Sequence, residues 1–198
     1  MSKVRFQLAA SLDGYVAGPD QSEDNPLGVG GIELHQWVFR LEAWRRQQGL
    51  EGGEVNASTP HGPRIPRGTA GGATTRPSIH QCSCSPTIPA RPLEMAGGTT
   101  FILVADGIEA TLAQASEAAG GRDVLLGGAS VVQQYLTAGL VDEFELHIVP
   151  VLLGAGARLL ENVGDLEVQP VRAIEAPGVT HIRYRVVKGR NGGRSWAS

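Results

Sequence analysis

The stretch from Asp123 to Leu160 constrains the fold more than any other part of the chain. Asp123 to Leu126 is a short apolar run, Gly127 and Gly128 break it, and Ala129 to Leu136 recurs with helical spacing until Gly139 stops it. Val141 to Leu153 then alternates and becomes continuously apolar, as a strand does on entering a covered sheet. Strand, glycine turn, helix and strand make a βαβ unit. The first amides of a helix lack intrahelical partners and carry the positive end of its dipole, so Gly127, Gly128, Ala129 and Ser130 form a candidate cradle for a phosphate or pyrophosphate. The same glycine pair also reads as a tight turn and nothing more. Val131 and Val132 stand where a dinucleotide fingerprint would place later glycines, which disfavours an ordinary Rossmann domain.

A chain of 198 residues, 41% hydrophobic, suffices for one sizeable core and is cramped for two. Residues 1–187 are expected to form one domain and 188–198 a polar tail. A net charge of -3 supplies no broad basic field, which argues against a nucleic-acid partner. No apolar run approaches the ~20 residues that cross a bilayer, and the N-terminal residues lack a secretory cleavage pattern. A cytoplasmic protein is expected.

Val4 to Ala10 reads as a first strand, Ser11 to Gly14 as a polar break, and Tyr15 to Ala17 as a return to apolar residues. Asp13 beside Gly14 is either a turn residue bonding its own backbone or a carboxylate presented at a strand end. Leu34, Trp37, Val38, Leu41 and Trp44 share one helical face, suited to a core or a subunit interface. Thr100 to Ala105 reads as a strand and Ile108 to Ala119 as a helix capped by Gly120 and Gly121. Leu166 to Ile174, interrupted by Pro170, and Val179 to Val187 read as closing strands. This order predicts an α/β fold: a mostly parallel sheet flanked by helices, with antiparallel strands at the C-terminal end.

Residues 59–91 do not fit the pattern. Pro, Gly, Ser and Thr dominate, large apolar residues are sparse, and neither periodicity is present, so the segment reads as a disordered insert. It holds the only cysteines, Cys82 and Cys84, too close together for a useful disulfide. With His80 they resemble half a zinc site whose other half is missing, so no metal is expected.

FQLAASLDGYVAG (Phe6 to Gly18), LLGGASVVQQYLTAGLVDEFELHIVPVLLGAGARLL and the closing THIRYRVV together resemble the dihydrofolate-reductase-like superfamily. The resemblance is closest to the reductase domain of bacterial riboflavin-biosynthesis deaminase/reductases and their small stand-alone relatives, and it covers both ends of the chain. It implies NADPH lying across the carboxyl edge of the sheet, with Ala10 and Ala17 lining the nicotinamide. Gly127, Gly128, Ala129 and Ser130 would meet the pyrophosphate, while Ser11 and Asp13 would face a small heterocyclic substrate, with Asp13 the candidate catalytic residue that positions or protonates it. It also implies a homodimer, with LVDEFELHIVPVLLG as a pairing surface. A second function class is a non-catalytic dimeric remnant that binds a nucleotide weakly or not at all.

The family's strand and Gly-Arg loop after the first helix have no counterpart past Thr59. When the third base of each codon is joined to the first two of the next, allowed codon choices from Ala70 to Ala90 spell WWGDDPPFHTPVFVLTHHPR. That reading contains an apolar strand and matches what relatives carry just before Pro92 to Met95, consistent with translation out of frame. Restoring it is expected to raise the melting temperature and NADPH affinity together, measured by calorimetry and titration. An unchanged melting temperature contradicts the out-of-frame reading.

Overall fold

The structure, a computed structural model, describes residues 2–59, 78–81, 92–94 and 100–188. The expectations of disorder in 59–91 and of a tail therefore fall almost wholly outside the described residues. In chain order the strands and helices are β1 (Val4–Ser11), β2 (Tyr15–Ala17), α1 (Gln36–Phe39), α2 (Glu42–Gln47), β3 (Ser78–Gln81), β4 (Leu93–Glu94) and β5 (Thr100–Val104). They continue with α3 (Gly107–Ala119), β6 (Val124–Leu126), α4 (Ala129–Thr137), β7 (Glu143–Val149), β8 (Ala157–Arg158), β9 (Val168–Ala176) and β10 (Val179–Val186). A 3₁₀ turn, Gly31–His35, precedes α1.

The main sheet has the order β6-β1-β7-β10-β9. β1 runs parallel to β6 and to β7, while β10 is antiparallel to β7 and to β9. The sheet is mixed, and its antiparallel part lies at the C-terminal end, as the element order predicts. β7 is central, hydrogen-bonded on one edge to β1 and on the other to β10. β5 stands outside this sheet, between β3 and β4 in a three-stranded one. The sequence reading missed β3, whose four residues run parallel to β5.

Two-residue alternation assigns the faces. Phe6, Leu8 and Ala10 lie opposite Phe144, Leu146 and Ile148 on one face. There Phe6, Phe144, Leu126, Val132, Tyr135, Leu136, Val141 and Val186 form the larger core against α4. The Phe6 and Phe144 rings stack at 4.8 Å, and Phe144 meets Tyr184 at 5.1 Å. The Tyr135 hydroxyl donates to the Ile108 carbonyl at 3.0 Å, tying α4 to the start of α3. On the other face Leu34, Trp37, Val38 and Leu41 pack on Val149, Ala176 and Val179.

The helical face expected from Leu34 to Trp44 is broken into three pieces. Leu41 is extended (φ -68, ψ 134) and bridges to Glu54, which separates α1 from α2 and leaves Trp44 only partly buried. Pro170 does not end β9, because an outer strand has no ladder hydrogen bond to lose on its open side, and a register shift at Arg183/Tyr184 absorbs the irregularity.

Phe144→Ala removes the ring at the centre of the aromatic stack. It is expected to cost about 3–5 kcal/mol in denaturant unfolding, the range for burying a cavity where an aromatic stood. A loss below ~1 kcal/mol contradicts this account of the core.

Candidate functional site

The carboxyl ends of β1 and β7 lie side by side, and the chain beyond each is fastened to the other. Leu12 N–H donates to the Val151 carbonyl at 2.9 Å. The Asp13 carboxylate accepts from the Ser11 hydroxyl (2.5 Å), from Leu153 N–H (3.2 Å) and from Gly154 N–H (2.7 Å). The Ser11 oxygen in turn accepts from Tyr15 N–H at 2.9 Å, shaping the turn into β2. Ser11 is 1% exposed and thus fixed by its surroundings. The Ser11 hydroxyl and the two loop amides hold the Asp13 pKa down at about 2. The group is therefore an anion at neutral pH, and in this arrangement it fastens two loops.

One cavity lies beside this junction and shares Glu161 with a second. The first, of about 510 Å³, is lined by Ala10, Ser11 and Gly14 from the β1–β2 turn, Leu146 and Ile148 of β7, and Arg158, Leu159 and Glu161 beyond. The other, of about 690 Å³, is bounded by Gly107 and Ile108 at the start of α3 and by Ser130, Gln133 and Thr137 on α4, again reaching Glu161. Glu161 contributes to both. Of the residues singled out by sequence, Ala10 and Ser11 meet at the first cavity and Ser130 stands at the second. Asp13 reaches the first only through Ser11. Ala17 is buried elsewhere, paired with Ala157 in the β2/β8 ribbon, where a Cβ on Gly156 would stand 2.0 Å from its carbonyl oxygen.

Gly127 and Gly128 open α4. Gly128 has φ 85, which only glycine adopts without strain, and no heavy atom lies within 4 Å of a Cβ built on either residue. The turn requirement and the ligand-cradle reading therefore separate by residue: Gly128 is needed for backbone shape, whereas Gly127 has no positive φ and faces open space.

Sequence reasoning missed Arg158 and Tyr15. The Arg158 guanidinium lies 4.6 Å from the Tyr15 ring centre and donates to its hydroxyl at 3.1 Å, while Gln133 of α4 donates to the Arg158 carbonyl at 2.6 Å. The β2/β8 pairing that creates this contact joins segments too far apart for local pattern to reveal. Also missed is a buried polar group on the far face: Glu145, His147 and His181, each at most 3% exposed. Their donor atoms cluster within 4.8 Å, the kind of set that holds a metal. Arg183 and Arg172 already engage the Glu145 carboxylate. The His147 and His181 Nδ1 atoms are 2.7 Å apart, closer than the ~3.3 Å between two nitrogens on one tetrahedral ion with bonds of ~2.0–2.1 Å. That geometry is a hydrogen bond. Cys82 and Cys84 lie outside the described residues.

Residues 91–186 match the family model described as the RibD C-terminal domain. This stretch, 96 of the 198 residues, is similar to that family. Solved structures share the fold. A putative riboflavin biosynthesis protein from Shewanella sp. PV-4 superposes with a TM-score of 0.52 at 17% identity, covering 94% of this chain and 99% of that one. Acinetobacter baumannii RibD does so with 0.53 at 18% identity, over 95% of this chain and 59% of its own. The Thermotoga maritima diaminohydroxyphosphoribosylaminopyrimidine deaminase/5-amino-6-(5-phosphoribosylamino)uracil reductase also reaches 0.53, at 11% identity over 94% and 57%. This chain thus spans less than two thirds of those two bifunctional-length proteins. An uncharacterized Bacillus subtilis protein, YyaP, is 50% identical over 44 residues, 22% of this chain and 23% of that protein. Among the described residues no helix is long and apolar enough to cross a membrane.

Asp13→Asn tests the fastener. Because the folded pKa lies below the ordinary 3.8, the stabilisation is present above that value and is lost as pH falls through about 2. The variant is expected to melt lower than the wild type at pH ~7, with the gap closing between pH ~4 and ~2. Equal melting temperatures at neutral pH contradict the role.

Proposed function

We propose that the chain is an NADPH-dependent reductase acting on a small heterocyclic substrate, of the kind the RibD family reduces. The observation that carries this is the pair of cavities that share Glu161, one at the carboxyl ends of β1 and β7 and one along the flank of α4 from Ser130 to Ala138. A nicotinamide dinucleotide has two parts, a reactive ring and a pyrophosphate, and needs two such neighbouring places. When bound, the cofactor supplies hydride to the substrate.

The residues present fit that group. Gly127, Gly128, Ala129 and Ser130 would hold the pyrophosphate at the N-terminus of the nine-residue α4, where open space above both glycines admits close approach. Ala10 presents a small side chain beside Leu146 and Ile148, leaving an apolar wall for a flat ring. Ser11 and the chain around Asp13 shape the substrate side. Asp13 acts as an orienting anion: with its pKa near 2 it holds Ser11 and the 153–154 amides in place. The chain is proposed to work in the cytoplasm on a small-molecule substrate and as a homodimer, the outer strands of the main sheet among the described residues being β6 and β9.

Titration of NADPH into the full chain, followed by tryptophan fluorescence, is expected to show saturable binding. Gly127→Val is expected to weaken it at least about tenfold while the melting temperature is kept, because a branched side chain fills the approach to the helix amides without a positive φ to strain. Absence of binding by the wild type overturns the reductase reading and leaves the non-catalytic remnant. Unchanged affinity in folded Gly127→Val returns the glycines to a turn.

A further inference from the structure

The residues that would hold a pyrophosphate, Gly127, Gly128, Ala129 and Ser130, are all neutral. The pyrophosphate of a dinucleotide is doubly anionic, whereas the positive end of a helix amounts to about half a charge. A cation near the head of α4 would complete the match, and one stands there. Of the described residues lining the two cavities, Arg158 of β8 alone is a cation. We propose that Arg158 is a cofactor-binding residue whose guanidinium takes the pyrophosphate jointly with the α4 amides. The proposal rests on the reductase reading and adds a residue to its site.

Two contacts fix where Arg158 stands. Its carbonyl accepts from Gln133 Nε2 at 2.6 Å. Gln133 is the fifth residue of α4, so by the helical rise it lies ~6 Å along the axis from Ala129. The Arg158 guanidinium lies 4.6 Å from the Tyr15 ring centre and donates to the Tyr15 hydroxyl at 3.1 Å. It also lines the cavity at the end of β1, beside Ala10 and Ser11. One residue thus joins the first turns of α4 to the place where the reactive ring would lie. The competing occupant is an anionic substituent on the substrate, and the Gln133 contact, about one turn from the helix start, favours the cofactor.

The cation is held in place, and most of its donors are uncommitted. Leu159, next in the chain, is 2% exposed within the larger core, and the β2/β8 pairing sets Arg158 opposite Tyr15. Stacking on an aromatic ring orders a guanidinium before a ligand arrives, which lowers the entropy cost of binding. Arg5, Arg172, Arg183 and Lys188 each meet a carboxylate. Among the described residues Arg158 meets none, and Glu161 on the same wall is not its partner. Tyr15 takes one N–H group, and the rest of the planar fork suits two phosphate oxygens.

Arg158 also belongs to the hydrogen-bonded run that Asp13 fastens. The Tyr15 hydroxyl donates to the Gly154 carbonyl at 3.3 Å, and Gly154 N–H donates to Asp13 at 2.7 Å. A purely structural part in that run would leave the salt dependence of cofactor binding untouched, whereas a contact between opposite charges weakens as salt screens it.

The test is NADPH titration of the full chain at low and high salt, ~0.05 and ~0.5 M, which spans strong and weak screening. Arg158→Gln is expected to bind at least about tenfold more weakly at low salt, the loss typical of a charged hydrogen bond, and to show a shallower salt dependence than the wild type. Arg158→Lys keeps the charge and loses the fork, so it is expected to fall between the two and to retain the wild-type salt dependence. Unchanged affinity in folded Arg158→Gln overturns the inference, as does a weakened affinity with the wild-type salt dependence. In both cases wild-type binding leaves the reductase reading standing. No binding by the wild type overturns the inference and the reading together. Should Arg158→Gln fail to fold, the Arg158 Nε–H resonance of the wild type decides: a shift on adding NADPH supports the contact, and its absence overturns it.

Discussion

β1 is bonded along both edges to parallel neighbours, β6 and β7, and everything proposed for this chain depends on that pairing. Parallel strands deliver their carboxyl ends to one edge. Ala10 and Ser11 therefore come to rest beside Ile148 and Val149, and the segments that follow, 12–14 and 151–154, meet as two loops at the same level. A slip of one residue would exchange Phe6 and Leu8 with Arg5 and Gln7 and put charge against α4. The stack of Phe6, Phe144 and Tyr184 fixes the register that places the cavities.

The two faces of β7 do different work. Phe144, Leu146 and Ile148 face the helices and, toward the strand end, line the cavity. Glu143, Glu145 and His147 face the other way and are buried under neighbouring cations and the 31–59 layer. Lys3 and Arg5 reach Glu143 at 2.5 and 3.9 Å, and Arg183 reaches Glu145 at 2.9 Å. Buried carboxylates are tolerated only with such partners, since an unmatched charge there costs several kcal/mol by solvation arguments. Strand β7 thus carries an apolar site on one side and a buried polar contact on the other.

Much of the fold was legible in sequence because the signals were local. The strand, glycine turn and helix at Val124–Leu126, Gly127–Gly128 and Ala129–Thr137 fall where the periodicity puts them, and the closing hairpin of β9 and β10 follows its alternation. What the sequence concealed was set by tertiary contact. The run from Leu34 to Trp44 keeps helical spacing, yet Leu41 is drawn out to bridge Glu54, and no local rule announces that. Alternation marks the faces of β7 and β10 but not their register, so the meeting of His147 with His181 was invisible. Asp13 carried a clear signal as a turn residue beside Gly14. Its anionic, doubly fastened state depends on amides at Leu153 and Gly154, some 140 positions away.

The central claim is that one dinucleotide spans the head of α4 and the end of β1. Backbone amide NMR of the full chain, recorded with and without NADPH, tests this most directly. The account predicts that the largest shifts fall on Ala129, Ser130, Ala10 and Ser11 together. Shifts confined to one of the two places, or centred on β9 and the 31–59 layer, would contradict it.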